Sequence, residues 1–420
     1  MRMIGFLAVV LTMASPLAAQ DTTRIPTGVR LSTRYSVLKR PLVAVRPATG
    51  TADPSVMQQV TTILQQDIDY SDRFEIGQTP SALTSGSVDY SQWNSLNVVF
   101  VVASEMILSG TGYRLHVDLH DVPFGKVKES KAFELPTANA HNFRLAVHAV
   151  ADELVRWMSG QPGAAASRIA FTRWTTNGSE LLVVDSDGEN LQRVLISTEK
   201  FYSPAWSPNG QRMAYSIRTG IGRVELRERD MTAGRDRVIS NRSVLAYTPA
   251  YSPDGRRLAF AFAIGNGTEV HEIDLERSGS PRRLTESRWS DAAPSYAPNG
   301  QRIAFHSDRL GAPHIFVTSV SGGQPTAVTP ISVSRVKFTA PDWSPSGDEI
   351  VFSGESLGGY QLMIVDAARP GTATQITVRG SNEDPSWAPD GRHIVFTGVG
   401  SEGSGLYVID RTSGRMRKLV

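Results

Sequence analysis

From Ile169 onward the chain repeats one arrangement of apolar and polar positions. An aromatic closes a short apolar run, a proline and a polar residue follow, and then a glycine stands at 210, 255, 300, 347 and 391. The successive gaps are 45, 45, 47 and 44 residues. Three positions after each glycine comes Met213, Leu258, Ile303, Ile350 or Ile394, and two further on comes Tyr215, Phe260, Phe305, Phe352 or Phe396. Ile169 and Phe171, in the segment "RIAFT", keep this spacing without the preceding proline–aromatic segment, so they mark a sixth copy whose first strand is missing. A period near 45 residues is the mark of a repeat architecture.

Each copy predicts four short strands. In the copy from Pro294, "PSYA" is a strand stopped by Pro298, which has no N–H for a ladder. Pro298-Asn299-Gly300 supplies a turn, with proline presetting φ and glycine accepting φ > 0. "RIAFHS" is apolar at its centre, as a strand covered on both faces must be. "HIFVTSV" and "PTAVTP" complete the unit. One such sheet cannot bury both faces, but six around an axis can, with aromatics between neighbours. The expected fold is mainly β: a six-bladed β-propeller over 168–420.

The front of the chain changes period. Residues 40–160 predict a small α/β domain: a strand at "LVAV", a helix capped by Asp53 with Pro54 at its first position, and a hairpin around Gly110 to Gly112. A second helix from His141 ends at Gly160. Residues 161–167 read as a linker. Ahead of these, Met1-Arg2, an apolar core from Met3 to Met13 too short to span a bilayer, and Pro16 to Ala19 give residues 1–20 the form of a secretory signal peptide. Residues 21–39 are expected to be a flexible segment.

Composition removes some functions. A net charge of +2 argues against nucleic acid. The absence of cysteine excludes disulfides and lipidation at a cleavage-site cysteine. Motifs that carry chemistry are weak. Gly398 to Gly403 matches a dinucleotide fingerprint but lies between two strands, with no helix to receive a phosphate. Asp185-Ser186-Asp187-Gly188 resembles the start of a calcium loop, but its glycine is misplaced and no glutamate closes it, which favours a hairpin turn. His116 and His120 share a strand face with no third ligand in view. No G-x-S-x-G elbow is present. No catalytic, cofactor-binding or metal-ligating residue is assigned.

The export signal, the α/β domain, "SRIAFT" and the five P-x-[WY]-[SA]-P-x-G units together resemble the TolB family of the bacterial Tol–Pal system. That resemblance implies a non-catalytic, monomeric periplasmic adaptor without cofactors. Its implied partners are the peptidoglycan-associated lipoprotein Pal, at the propeller face and central canyon, and TolA, at the mature N-terminal segment. TolQ–TolR and peptidoglycan are implied indirectly, with roles in outer-membrane integrity and division. Placed on this sequence, the Pal surface falls on residues before each P-x-[WY] strand, expected in rim loops: Tyr202, Ser203, Tyr247, Thr248, Asp291, Ala292, Phe338, Thr339, Asn382 and Glu383. The TolA segment falls on Arg24, Ile25, Val29, Arg30 and Leu31.

Two features depart from the family. Its chains usually end in an extra P-x-W-S-P segment that completes the first blade, and here "MRKLV" is the outer strand of the last blade. Closure by packing alone and a three-stranded first blade are both open. The segment 21–40 is also basic, which admits an anionic lipid or peptidoglycan surface in place of TolA. Two other classes remain: an exported hydrolase or lactonase with a channel metal held by acids such as Asp291, Asp342, Glu383 and Asp384, and a carbohydrate- or peptide-binding propeller.

Overall fold

The computed structural model describes residues 29–31, 39–240, 245–265, 267–277, 279–331, 336–356, 358–401 and 403–420. The signal-peptide reading, and Arg24 and Ile25, lie outside them.

The front domain is one mixed sheet with strand order Glu75–Ile76, Leu42–Val45, Val98–Ser109, Gly112–Asp121, Lys126–Leu135. Its first three strands are parallel and the rest antiparallel. Helix Pro54–Tyr70 begins where the Asp53 carboxylate accepts from the amide of Ser55, with proline at the first turn. Helix Phe143–Ser159 ends at Gly160, whose φ of +71° is the left-handed conformation that spares glycine a Cβ clash. Both helices cover one sheet face and bury Val60, Leu64, Val147, Ala151 and Leu154 against Val43, Val102, Leu115 and Val117. The short helix Tyr90–Ser95 sets Trp93 against the opposite face. The edge strand Lys126–Leu135 is almost wholly exposed. It shows little apolar alternation, which is why the sequence pattern did not announce it.

Six sheets follow, and the propeller is six-bladed. Blades two to six have four antiparallel strands each; the inner ones are Phe201–Trp206, Ala246–Tyr251, Asp291–Tyr296, Phe338–Trp343 and Ser381–Trp387. Blade one has three, Arg168–Thr175, Gly178–Asp185 and Gln192–Ser197, and no inner strand pairs with Arg168–Thr175 among the described residues. The effect is visible in burial. The apolar pair of the second strand, such as Met213 and Tyr215 or Ile350 and Phe352, is at most 1% exposed in the other five blades. Ile169 and Phe171 are only half-buried.

Neighbouring blades are matched by a local rule. The aromatic of each inner strand shares an apolar cluster or a hydrogen bond with one register position in the third strand of the preceding blade. Where that residue is apolar the aromatic is tryptophan: Trp206 with Val183, Trp343 with Val317, Trp387 with Ile364. Where it is glutamate the aromatic is tyrosine, and the hydroxyl donates to it: Tyr251 to Glu228 at 2.8 Å and Tyr296 to Glu272 at 2.6 Å. Each phenol finds a glutamate acceptor, whereas of the indoles Trp343 donates to the Gly347 carbonyl at 2.9 Å and the N–H groups of Trp206 and Trp387 have no acceptor among the described residues.

Candidate functional site

The inner strands converge on a central channel. In each, pairing with the second strand slips by one residue just before the proline, at Tyr202/Ala205, Tyr247/Ala250, Ala292/Ser295, Thr339/Asp342 and Glu383/Ser386. The displaced residue has positive φ every time: Ser203 +46°, Thr248 +51°, Ala293 +50°, Ala340 +49° and Asp384 +52°. Non-glycine residues pay about 1–3 kcal/mol for such backbone, and strain of this kind gathers at binding sites. These bulges and their prolines line a cavity of about 1430 Å³.

The rim residues predicted from sequence are therefore in strands, not loops. The sequence pattern begins each strand at its proline, whereas the ladder opens three residues earlier, four in blade six, and the bulge carries the chain past the proline. Position relative to proline decides what each residue does. Those three before it face the core: Asp291 is fully buried with both oxygens held by Arg309 at 3.1 and 3.0 Å, and Phe338 packs on Phe352. Asn382 is buried and donates to Gln361 and the Arg379 carbonyl. Of those two before it, Ala292 is buried, Tyr202, Tyr247 and Thr339 are half-buried, and Glu383 is exposed. Tyr202 meets Trp174 edge-on at 5.5 Å. Those directly before proline, Ser203 and Thr248 among the predicted set, line the channel. Ala293, Ala340 and Asp384 share that ring and were not in the predicted surface; counting back one residue from each proline finds them.

The acids considered for a channel metal are mostly engaged elsewhere. Asp342 accepts from the Trp387 amide at 2.8 Å and from Ser295 and Ser386, tying blades four, five and six together. Asp384 lies on the channel wall, and enclosure by the protein raises its pKa. In the α/β domain, His116 Nε2 meets both Asp118 and Ser130 at 3.2 Å, while His120 pairs through Nδ1 with Tyr90. The two histidines share no partner.

Among the described residues, the channel has one free end and one covered end. Turns after the inner and third strands face the α/β domain, and the hairpins between second and third strands face away. The covered end is a joint of ion pairs. Asp72, itself buried, receives Arg415 at 3.0 Å, Arg417 at 3.2 Å and His393 Nε2 at 3.0 Å, while Arg392 donates to its carbonyl. Burial opposes charge on His393, but Asp390 and Asp72 outweigh it and raise its pKa. Across the joint, Arg144 pairs with Asp185 and Asp187 of blade one. Asp152 accepts the amides of Ala165 and Ala166, and burial pushes its carboxyl up to about 6.

Val29–Leu31 forms a strand parallel to Ala373–Gln375, extending blade five at its outer edge. This part of the expected TolA segment is added to the chain's own sheet. No helix among the described residues is long and apolar enough to cross a membrane.

The fold and the channel define a class: a six-bladed propeller carried behind an α/β domain, with one channel end left open. Residues 155–420 match the family described as the TolB beta propeller domain, and residues 33–127 match the TolB amino-terminal domain. The chain belongs to the TolB family. It is 33% identical over 169 residues to a Tol-Pal system protein TolB of Methylococcus capsulatus, covering 38% of this chain and 39% of that one. It is 32% identical over 190 residues to the protein of the same name from Albidiferax ferrireducens, covering 44% of each. These matches thus span less than half the length of either relative. The crystal structure of TolB from Acinetobacter baumannii superposes with a TM-score of 0.77 at 24% identity, covering 90% of this chain and 93% of that one, a likeness of fold.

Proposed function

We propose that this chain is a non-catalytic TolB adaptor of a Tol–Pal system, acting in the periplasm after export. The observation that carries this is the presence of both TolB domains in one chain, in the family's order. The free end of the propeller is the docking face for the lipoprotein Pal. Its accessible groups are Tyr202, Tyr247, Thr339 and Glu383, around the bulge ring of Ser203, Thr248, Ala293, Ala340 and Asp384. Aromatic groups of this kind are enriched at interfaces. Asp291, Ala292, Phe338 and Asn382 shape the face from beneath.

The N-terminal segment engages TolA, and through it TolQ–TolR. Pairing by backbone asks little of sequence, and Val29–Leu31 already sits as an added strand. The link between inner membrane and peptidoglycan supports outer-membrane integrity and constriction at division. Cross-linking of envelopes followed by recovery of the mature protein tests the reading. Pal is expected in the wild-type complex and depleted at least tenfold by the Tyr247→Ala/Glu383→Ala double variant. Recovery of no envelope protein, or full recovery with that variant, refutes it.

A further inference from the structure

The Asp185–Gly188 segment, a turn closed by the Gly188 amide on the Asp185 carbonyl, lands in the domain joint. Facing it is His148 of helix Phe143–Ser159, which has no solvent exposure. Its Nδ1 meets Asp67 Oδ2 at 2.6 Å. Its Nε2 has no hydrogen-bond partner and points between Asp185 Oδ2 at 3.9 Å and Asp187 Oδ2 at 4.0 Å. Asp67, His148 and Asp187 each bring a ligand atom within 4.8 Å of the others, and all three are buried. Asp152 lies on the same helix and also lines the joint. Of the carboxylates here, Asp185 and Asp187 pair with Arg144, Asp185 also with Arg168, Asp67 with His148, and Asp152 with the amides of Ala165 and Ala166. The joint is therefore rich in buried anions.

We propose that this pocket binds one divalent transition metal of the zinc class, through His148 Nε2 and carboxylate oxygens of Asp187 and Asp185, joining the α/β domain to blade one. Bonds of about 2.0–2.2 Å let one ion bridge atoms up to ~4 Å apart, which the two separations from His148 Nε2 meet, and the turn closes around the ion to bring the second carboxylate in. Asp67 takes the part of the carboxylate behind a ligating histidine: it accepts from Nδ1–H, fixes the tautomer and leaves Nε2 bare for the ion. An imidazole with carboxylates suits zinc better than calcium or magnesium, which prefer oxygen throughout. Arg144 is the resident counter-charge on both aspartates. Its side chain is 23% exposed, so it can turn outward when the metal takes its place.

Zinc titrated into the purified full-length chain, by calorimetry and by equilibrium dialysis with metal analysis, tests this. The expected result is one ion per chain, weakened at least tenfold by His148→Gln or Asp187→Asn and by about 10–100-fold by Asp67→Asn. Arg144→Ala should tighten binding, because it removes the competitor; a purely structural ion pair gives the variant no metal affinity to gain. Should His148→Gln fail to fold, Co²⁺ added to the wild type provides the second readout. An intense visible band marks a low-coordinate nitrogen–oxygen site, and the weak band of the hydrated ion overturns the proposal. Substoichiometric zinc, zinc indifferent to His148→Gln, or binding weakened by Arg144→Ala also overturns it.

Discussion

The contacts between blades and the contacts between domains solve the same problem with opposite materials. Blade meets blade through repeated apolar surfaces in which Phe260, Phe305, Phe352 and Phe396 hold equivalent places. The α/β domain meets the propeller through single charged groups, with Asp72 alone serving three cationic side chains. Redundant burial is insensitive to pH and tolerates the loss of one partner by degrees. A buried ion network concentrates its strength in a few groups, here around one carboxylate. The difference separates a rigid ring from a joint whose strength responds to its surroundings.

The comparison breaks most visibly at the ring. Phe352→Ala removes a fully buried ring and should lower propeller stability by about 3–5 kcal/mol, read by denaturant unfolding. Asp72→Ala takes the shared anion from Arg415, Arg417 and His393, leaving Asp69 to Arg415 and Asp390 to His393, a loss of about 3 kcal/mol, at the low end for broken buried pairs. Its effect should fall on the joint: the α/β domain should melt apart from the propeller by calorimetry, while propeller unfolding stays put. A shift of both transitions together would show the joint to be part of the ring's own core.

pH sharpens the contrast. The folded pKa of His393 is raised, so its contribution is fully present below the free histidine value of about 6.5 and is lost as pH rises through the folded value. The joint should loosen on going from pH 6 upward past that value. His393→Gln should flatten this slope, and amide exchange near Asp72 is the measurement. The smallest effect concerns blade matching. Tyr251→Phe leaves Glu228 without one donor and should cost about 1.5–3 kcal/mol. Tyr251→Trp with Glu228→Val should recover part of that loss by adopting the pairing of Trp206 with Val183, as a double-mutant cycle would show.

The ring was legible because its signals are local. Proline, aromatic and glycine recur within eight residues of each other, and each turn requires them where they stand. The bulge was not legible, since a residue before proline looks like loop until the ladder on both sides of it is seen. Without that ladder the sequence places Asp291 and Phe338 at the surface, where the structure buries both. The joint carried no signal at all. Asp72 and Arg415 meet across more than three hundred residues, and nothing repeats to bring them together. Asp185-Ser186-Asp187-Gly188 read as a turn, which it is, but its partners Arg144 and His148 come from a helix in another domain.

The inner edge of Arg168–Thr175, unmatched among the described residues, has a mechanical consequence. A ring stitched by hydrogen-bond ladders within every blade but joined between blades by side chains and a few backbone bonds behaves like a split washer, weakest where one thickness is missing. Thermal opening should begin where blade one meets blade six, along Ile169 and Phe171, and run outward from there. Any molecule that grips both blades at once would act as a clamp across the split. The α/β domain already does so from one side, with Arg144 and His148 on blade one and Asp72 on blade six, so that domain spans the split without being part of the ring's own core.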